Sequence, residues 1–480
     1  MLSPELLSPQ CWAQATFGSV QLGDPRRTER AIRIGEHFAS DPQASFPRQM
    51  SQDADLEATY RFVNSTHTSY EALIAPHVQA TQQECGKHPW VLLIQDTTEL
   101  DYQHHPKTTG LGPVGNGTHQ GFLLQSVLAI EAQGSSVVGL AHQEPFLRTP
   151  APEKESKQHR LSRERESEVW NRSVHALGSP PKGSHWVHVG DRYSDIFGLL
   201  MQCRQQGCDF TIRAAQDRCV DLLVEQGEDP VPPRSHHPER PSPARLHLFE
   251  VVEQMPMRES LWIDLKSSQQ RAARRAHLAV SWRAVRLLPP RLQEQAHWRP
   301  LVVWVVSVWE PDPPAGVEPL RWVLLTSVPT ETFHHAQERI RWYQARWIVE
   351  DYHQGLKTGC RMEQRQMQTY EGLRTLLGIV APTAVRLLQL RSLARALPEA
   401  HALHVLPTDL VQVVAFLAHT PADTMTVEHC WHAIARQGGY LGRKGDGPPG
   451  WKTLWFGWLR VQTLLDGIHL APHLSDQLQL

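Results

Sequence analysis

The sequence lacks an excess of charge of either sign. Its 480 residues contain 48 Lys and Arg against 50 Asp and Glu, which gives a formal net charge of −2 at pH 7. No overall electrostatic field therefore favours a polyanionic partner, and any such site must come from a local cluster of cations. The content of 40% apolar and 20% charged residues is typical of a soluble globular protein. The length allows about two to four domains.

Paired cysteines are also missing. The seven cysteines are scattered, and none forms a CxxC pair. Cys203 and Cys208 are separated by four residues, but no second pair completes a zinc site. The 27 histidines form no recognised metal signature. We therefore expect reduced thiols in a cytoplasmic protein and no structural zinc.

Segments for export or membrane insertion are absent as well. Residues 1–10 have neither the basic start nor the apolar core of a secretory signal. The most apolar run, residues 376–385, is too short to cross a bilayer and is followed at once by Arg386. These features predict a protein that is neither exported nor embedded in a membrane.

One stretch, residues 339–367, combines charge and aromatic character in an unusual way. It reads RIRWYQARWIVEDYHQGLKTGCRMEQRQM and has the composition of a helix at least up to Gly359. At about 100° per residue, one carboxylate, two cations and a phenol share an arc of about 60°. These residues are Tyr343, Arg346, Glu350 and Lys357. Such a stripe suits a face that handles phosphate, although a solvated charged face explains the spacing equally well.

Two acidic residues follow predicted strands. The apolar run at residues 90–95 ends in Asp96, and the strand at 186–190 ends in Asp191. Strands at 122–132 and 136–143 form a meander between them, and the stretch at 153–175 is rich in helix formers. A helix at 194–206 and a strand at 209–213 follow. This β-β-β-α-β-α order, with acids after the first and fourth strands, predicts an α/β fold with an RNase H-like mixed sheet.

The flanking regions predict further domains. Residues 1–70 form a helical unit in which Asp24 caps a helix beginning at Pro25. Arg26, Arg30 and Arg33 make a basic stripe on that helix, a second helix covers 55–63, and Thr68 with Glu71 starts a third. Residues 371–480 are helical, with predicted helices at 371–380, at 382–397, through about 436 and at 451–468.

The central domain, residues 71–370, is interrupted at about 214–320. This β-rich insertion contains a proline-rich loop at 229–242 and a basic patch at 266–291, which has seven Lys or Arg and no acid. The sheet is rejoined at 321–327, directly before the charged stretch.

The acidic residues have a defined chemical use if they converge. Asp96, Asp191 and Glu350 would repel one another unless a cation neutralised them. Hard oxygen ligands favour Mg²⁺ or Mn²⁺, and two such ions about 4 Å apart can activate a water or a 3′-hydroxyl on a phosphodiester. Either aspartate alone is more often an ordinary residue at the end of a strand.

The pattern YxxRxxxExxxxxxK, with Asp96 in IQDTT and Asp191 in VGDRYSD, resembles the DDE cut-and-paste transposases of the insertion-sequence-four family. The resemblance implies that Asp96, Asp191 and Glu350 are the catalytic, metal-binding acids. It implies phosphate contacts from Tyr343, Arg346 and Lys357. Trp347 lies in the same region, where an aromatic residue is as plausibly part of the core.

Further DNA contacts are implied elsewhere in the chain. Arg213, which ends the FTIR strand, occupies the position of an arginine near the DNA end. Trp322 corresponds to an indole that fills the gap left by a flipped base. The segments GDPRRTER and EATYRFV resemble the end-recognition domain, which adds Arg26, Arg27, Arg30 and Arg61. Gln366 and Gln368 stand where relatives in the family carry charged residues that contact the transposon end.

The family reaction begins when a water held by Mg²⁺ nicks the transposon end. The freed 3′-hydroxyl closes a hairpin, the hairpin is reopened, and the 3′ ends attack target DNA. The implied partners are double-stranded DNA and a second copy of the chain, joined through the C-terminal helices. Two alternatives are an RNase H-like metal nuclease without strand transfer and a non-catalytic DNA-binding inhibitor. The three intact acids argue against the second alternative.

Overall fold

The computed structural model describes residues 8–50, 52–134, 136–148, 166–223, 246–265, 273–290, 298–396, 398–443, 446 and 449–478. The chain separates into two compact units. The first unit contains Met1–His88, Thr97–Arg163 and Trp347–Leu480, and the second contains Pro89–Asp96 and Glu164–Arg346.

The described residues are rich in both strands and helices. The strands are β1 (Trp90–Asp101), β2 (Gly112–Val114), β3 (His119–Glu131), β4 (Val137–Phe146), β5 (His185–Gly190), β6 (Asp209–Arg213), β7 (Cys219–Leu222), β8 (Leu246–His247), β9 (Glu259–Leu265), β10 (Arg274–Leu287), β11 (Leu301–Trp309) and β12 (Arg321–Thr326). The helices are α1 (Pro9–Phe17), α2 (Pro25–Ser40), α3 (Phe46–Gln49), α4 (Asp53–Val63), α5 (Tyr70–Cys85), α6 (Glu168–Leu177), α7 (Phe197–Gln205), α8 (Leu248–Gln254), α9 (Phe333–Ala345), α10 (Trp347–Gln354), α11 (Tyr370–Ala396), α12 (Ala402–Val405), α13 (Thr408–Ala418), α14 (Val427–Gln437) and α15 (Trp451–Leu478).

The second unit is built on a mixed sheet. The first part of β1 pairs in parallel with β5, and β5 pairs in parallel with β6. β12 then pairs antiparallel with β6, followed by β11 and β10. β7 and β9 both pair with β10, and β8 pairs with β7. The predicted insertion therefore extends the sheet, because its strand β11 pairs with β12 from Trp304 to Trp309.

The first unit combines helices with an antiparallel hairpin. β3 pairs with β4, and β2 pairs with β3. The last residues of β1 lie beside β3, where the Leu100 carbonyl leaves no room for a side chain on Gly121. The long helix α11 packs against α2, α5 and β4, and α14 packs against α15. The predicted mixed α/β class with helical N- and C-terminal regions is confirmed.

A network of buried polar side chains connects the hairpin to two helices of the first unit. The Tyr70 hydroxyl donates to the Gln143 carbonyl at 3.1 Å, and the Gln143 amide donates to the Tyr352 hydroxyl at 2.8 Å. The His353 ring lies 3.2 Å from the Ser126 hydroxyl. Because an unpaired polar group would be costly in this interior, the bonds fix the rotation of α10.

Several predicted elements need correction. The expected helix at 339–359 is interrupted: α9 ends at Ala345, α10 begins at Trp347, and a π-helix covers Gly355–Gly359. The first strand does not end before Asp96 but continues to Asp101. α5 is capped by Ser69, whose hydroxyl accepts from the backbone N–H of Ala72, instead of by Thr68. The Thr68 hydroxyl instead donates a hydrogen bond to the Phe62 carbonyl at 2.6 Å within the first unit.

The two helices predicted after residue 370 are one helix, α11, with Pro382 inside it. Its residues 370–390 are long and apolar enough to cross a membrane, which makes the apolar segment longer than the run at 376–385 that the sequence indicated. However, 89% of the most apolar window is buried inside the structure, as in a core helix. Pro382 cannot donate a helical hydrogen bond, so the packing of α11 against α2, α5 and β4 is what keeps the helix continuous through this position.

Some predictions fall outside the described residues. The proline-rich loop at 229–242 lies there, as do residues 266–272 and Arg291 of the basic patch. The division into domains at 1–70, 71–370 and 371–480 stays a prediction.

The free cysteines are mostly buried, and burial raises the pKa of the Cys85, Cys360 and Cys430 thiols to about 12.

His77 makes the first unit sensitive to acid. Its Nε2 accepts a hydrogen bond from the backbone N–H of Leu140 at 3.2 Å, and burial lowers the pKa of His77 to about 4. The unfolded chain, with a histidine pKa near 6.5, therefore takes up a proton first as the pH falls. We predict that the urea midpoint decreases between about pH 6.5 and about pH 4. His77→Gln should weaken this dependence, whereas the exposed-site control His67→Gln should retain it; equal pH dependence in both variants would contradict the prediction.

Candidate nucleic-acid interface and acidic site

Asp96 and Asp191 occupy matching register positions in the second unit. The parallel register pairs Ile94 of β1 with Val189 of β5, and each aspartate follows its strand's paired residue by two positions. Neighbouring parallel strands are about 4.8 Å apart, and side chains alternate between the faces of a strand. Asp96 and Asp191, which is one residue beyond the end of β5, are therefore expected to point to the same face. On the opposite face, Gln95 Nε2 lies 2.6 Å from His188 Nδ1, and burial lowers the pKa of His188 to about 3.

A compact turn carries Asp191. One of its carboxylate oxygens, Oδ1, accepts from the backbone N–H of Tyr193 at 2.8 Å, and its carbonyl accepts from the Ser194 hydroxyl at 2.6 Å. A side chain on Gly190 would collide with Ser194. The predicted helix at 194–206 therefore begins later, at Phe197, after a short 3₁₀ turn at Arg192–Ser194.

A group of cationic and aromatic side chains lies in the same unit. Arg346 is 8% exposed and places Nη1 3.9 Å from Asp96 Oδ2. Trp322 and Tyr343 meet edge to face, with ring centroids 5.5 Å apart. Arg213 donates from Nη2 to the Arg321 carbonyl at 2.9 Å, which fixes it beside the start of β12. The structure therefore forms two pairs among the predicted site residues. Tyr343 contacts Trp322, and Arg346 lies near Asp96.

The remaining residues of the charged stretch belong to the first unit. Glu350 lies on α10 and is partly exposed. Lys357 lies in the π-helix, where Nζ is 3.5 Å from a carboxylate oxygen of Glu363. Trp347 is 61% exposed, so it is a surface residue instead of a core residue. The break at Arg346 means that the four motif residues do not share one uninterrupted helix.

Carboxylates are suitable ligands for Mg²⁺, and Asp96 with Asp191 provides two of them. Among the residues that the structure describes, no group of three or more His, Cys, Asp or Glu side chains is placed to hold a metal ion. The carboxylates of Asp96 and Asp191 in the second unit thus provide part of the ligand set that a divalent cation needs. Arg346 stands near Asp96 as a cation from the protein itself.

The arginines predicted on the N-terminal helices differ in their environment. Arg30 and Arg33 both reach Asp55 Oδ1, at 2.8 and 3.1 Å, and the hydrogen bond from Arg30 lowers the pKa of Asp55. Arg27 donates to the Leu22 carbonyl at 2.8 Å. The contacts of Arg30 and Arg33 with Asp55 connect α2 to α4, whereas the Arg27 contact holds the segment directly before α2. The side chains of Arg26 and Arg61 are exposed.

Two adjoining concave surfaces of the first unit were not predicted. They have volumes of about 620 and about 270 Å³ and share Tyr60, Gln366 and Met367. Neither is lined by an acidic residue; the polar and cationic side chains of this groove include Asn64, His104, Lys107, Arg361 and Gln368. The sequence signal that could have located it was the His104–Lys107 loop, which carries three cationic or titratable side chains.

The left-handed backbone at Arg361, with φ 52°, helps to form the second surface. The guanidinium of the neighbouring Arg365 is buried and donates to the Ala44 carbonyl at 2.6 Å, which ties this segment to the N-terminal helices. The groove therefore joins residues far apart in the chain within a single unit.

Two segments of the chain match known protein families. Residues 9–68 match the family model described as Transposase DNA-binding, and residues 382–477 match the model described as Transposase Tn5 dimerisation domain. The first match contains Tyr60 and Asn64 of the groove, and the second contains most of α11 to α15. The matches support a Tn5-like transposase that binds DNA and forms dimers.

Substitution of Lys107 tests whether the groove contacts DNA. We predict that Lys107→Gln weakens binding to duplex DNA and reduces the salt dependence of log K by about one phosphate contact. The matched control is Lys87→Gln, because Lys87 is 71% exposed but pairs with Glu84 at 2.6 Å outside the groove. Fluorescence anisotropy at several salt concentrations measures both. Equal losses in the two variants would show that the groove has no special role.

Proposed function

We propose that the protein is a DDE cut-and-paste transposase of the insertion-sequence-four family, with an RNase H-like catalytic domain. The observation that carries the proposal is the parallel register of β1 and β5, in which Asp96 and Asp191 each follow a paired residue by two positions. The matches at the two ends of the chain support the same function from independent segments. The substrate is double-stranded DNA at the transposon ends and then at the target, handled by a homodimer in the cytoplasm.

Asp96, Asp191 and Glu350 are proposed as the catalytic acids that hold two Mg²⁺ ions, with Mn²⁺ as a substitute. The assignment of the aspartates is supported by their register, and that of Glu350 by its place in the YxxRxxxExxxxxxK pattern. When bound, the ions would neutralise charge on the phosphate and lower the pKa of a water or 3′-hydroxyl.

The reaction consists of phosphodiester hydrolysis followed by transesterification. Water attacks phosphorus, the bond to the 3′-oxygen breaks, and a 3′-hydroxyl and a 5′-phosphate are left. The 3′-hydroxyl then attacks the opposite strand and displaces another 3′-oxygen, which closes the hairpin. A second hydrolysis opens it, and the 3′-hydroxyl finally displaces a 3′-oxygen in the target.

The cationic side chains of the motif are proposed to hold the scissile strand. Arg346, buried and 3.9 Å from Asp96, provides a guanidinium fork suited to phosphate oxygens. Lys357 contributes a point charge, and Tyr343 a phenol held against Trp322. Further DNA contacts are proposed for Arg213, Trp347, Arg26, Arg27, Arg30 and Arg61. Arg30 also pairs with Asp55 at 2.8 Å, and Arg27 also donates to the Leu22 carbonyl at 2.8 Å.

Substitution of the acids tests the reaction directly. We predict that Asp96→Asn, Asp191→Asn and Glu350→Gln each reduce Mg²⁺-dependent nicking on the order of 1,000-fold or more, because charge neutralisation at the phosphate is lost. The substrate is an end-labelled duplex carrying the inverted repeats that flank the gene. Asp217→Asn is the control, since Asp217 lies in the same unit and pairs with His247 at 3.4 Å.

Duplex binding should survive in all four variants. A denaturing gel separates the outcomes, because a hairpin migrates as one strand of double length. Full nicking by any acid variant would contradict the assignment, and nicking without hairpin or strand-transfer products would favour a simple nuclease.

Trp322 is proposed to stack where a base is extruded during hairpin closure. Stacking on an aromatic ring contributes about 1–3 kcal/mol per base, so Trp322→Ala should slow hairpin formation about 10-fold without slowing the first nick. Trp322→Phe should retain part of the rate. Trp262→Ala is the control, because Trp262 is 57% exposed in the same unit. Equal hairpin rates for the two alanine variants would contradict the role.

A further inference from the structure

Asp195 is a second aspartate in the turn that carries Asp191, and its side chain is fully buried, with 0% exposure. Oδ2 accepts from the backbone N–H groups of Ala215 and Gln216, both at 2.7 Å. Oδ1 accepts from Arg218 Nη2 at 2.6 Å and Nε at 3.2 Å. With four bonds accepted, this carboxylate has no capacity left for a metal ion or substrate.

These bonds connect two segments that the proposed reaction uses. On one side, Asp195 ends the 3₁₀ turn after Asp191, where its backbone N–H donates to the Arg192 carbonyl at 3.3 Å. On the other side, residues 215–218 begin two positions after Arg213, the last residue of β6. Arg218 also donates from Nη2 to the Asp195 carbonyl at 2.7 Å. The pair therefore holds the Asp191 turn against the end of β6.

Burial makes this connection rigid. Arg218 is 11% exposed, and its guanidinium lies 5.8 Å from the centre of the Phe197 ring. Removing one partner of such a pair leaves a buried charge without compensation. The turn has little other freedom, since Gly190 and Ser194 are in close contact. A change at Asp195 is thus transmitted to the position of the Asp191 carboxylate.

We infer that Asp195 and Arg218 are positioning residues that hold the Asp191 carboxylate in place for a divalent cation. The inference rests on the proposed role of Asp191 and deepens it. A preorganised ligand loses affinity when its support is removed, typically about 10–100-fold for residues that orient metal ligands. If the salt bridge had a purely structural role, its removal would lower the stability of the protein and leave the metal affinity unchanged.

Another buried ion pair in the same unit provides a matched control. Arg274 and Glu310 form a bidentate ion pair, in which Nη2 lies 2.8 Å from Oε2. Their side chains are 16% and 3% exposed. They lie on and beside the insertion strands β10 and β11, away from β1 and β5. Glu310→Gln therefore removes a comparable buried charge without touching the acidic turn.

The first experiment measures metal binding without DNA. Mn²⁺ is titrated into the full-length protein, and free Mn²⁺ is counted by electron paramagnetic resonance. The Mn²⁺ binding that is lost in the Asp191→Asn variant is assigned to the site at Asp191. We expect Asp195→Asn and Arg218→Gln to weaken it about 10-fold or more and Glu310→Gln to leave it unchanged, although all three lower the thermal midpoint. The neutral pair Asp195→Asn with Arg218→Gln should recover part of the affinity.

The second experiment measures Mg²⁺-dependent nicking of the inverted-repeat duplex by the same variants. Half-saturation should require about 10-fold more Mg²⁺ in Asp195→Asn than in Glu310→Gln. If Asp195→Asn matches Glu310→Gln in both measurements, the inference is overturned, while nicking by the wild-type protein leaves the proposed function intact. If the affinities separate as expected but neither the wild-type protein nor any variant nicks DNA, the positioning role stands and the proposed function fails. No Asp191-dependent Mn²⁺ binding in the wild-type protein overturns the inference.

Discussion

The parallel pairing of β1 with β5 is the constraint on which the acidic site depends. The pairing runs from Trp90 with His185 to Ile94 with Val189, and the apolar residues between are buried. Side chains alternate between faces along a strand, so a slip of one residue would turn Asp191 away from Asp96. Burial of the apolar side chains therefore determines where two charged side chains stand. The Gln95–His188 contact reinforces the same register from the other face.

Much of the sheet could be predicted because its strands are apolar runs with clear ends. The strand at 209–213 and the meander of β3 and β4 have such signals, and the structure contains them. Elements that depend on tertiary packing were less predictable. The break at Arg346 separates two stretches of equal helical composition, and Pro382 suggested a helix boundary that the packing around α11 overrides. Asp96 seemed to end a strand, yet β1 continues through it.

The candidate site was predictable in its residue types but not in its partners. Asp55 is 25 residues from Arg30 along the chain, yet its carboxylate accepts a hydrogen bond from that arginine. The groove around Tyr60 combines three distant segments, and no local pattern indicates such an assembly. Asp195 has the same limitation, since its importance becomes visible only with the backbone of residues 215 and 216 beside it.

The insertion strands have a consequence for how the chain can vary in length. Because β11 supplies hydrogen-bond partners to β12 over six residue pairs, excising residues 214–320 would expose an unsatisfied strand edge beside Trp322. Such edges promote aggregation. Shortened homologues or trimmed versions should therefore keep β10 and β11 and lose residues from the connecting loops, so the insertion behaves as an integral part of the sheet and not as a removable module.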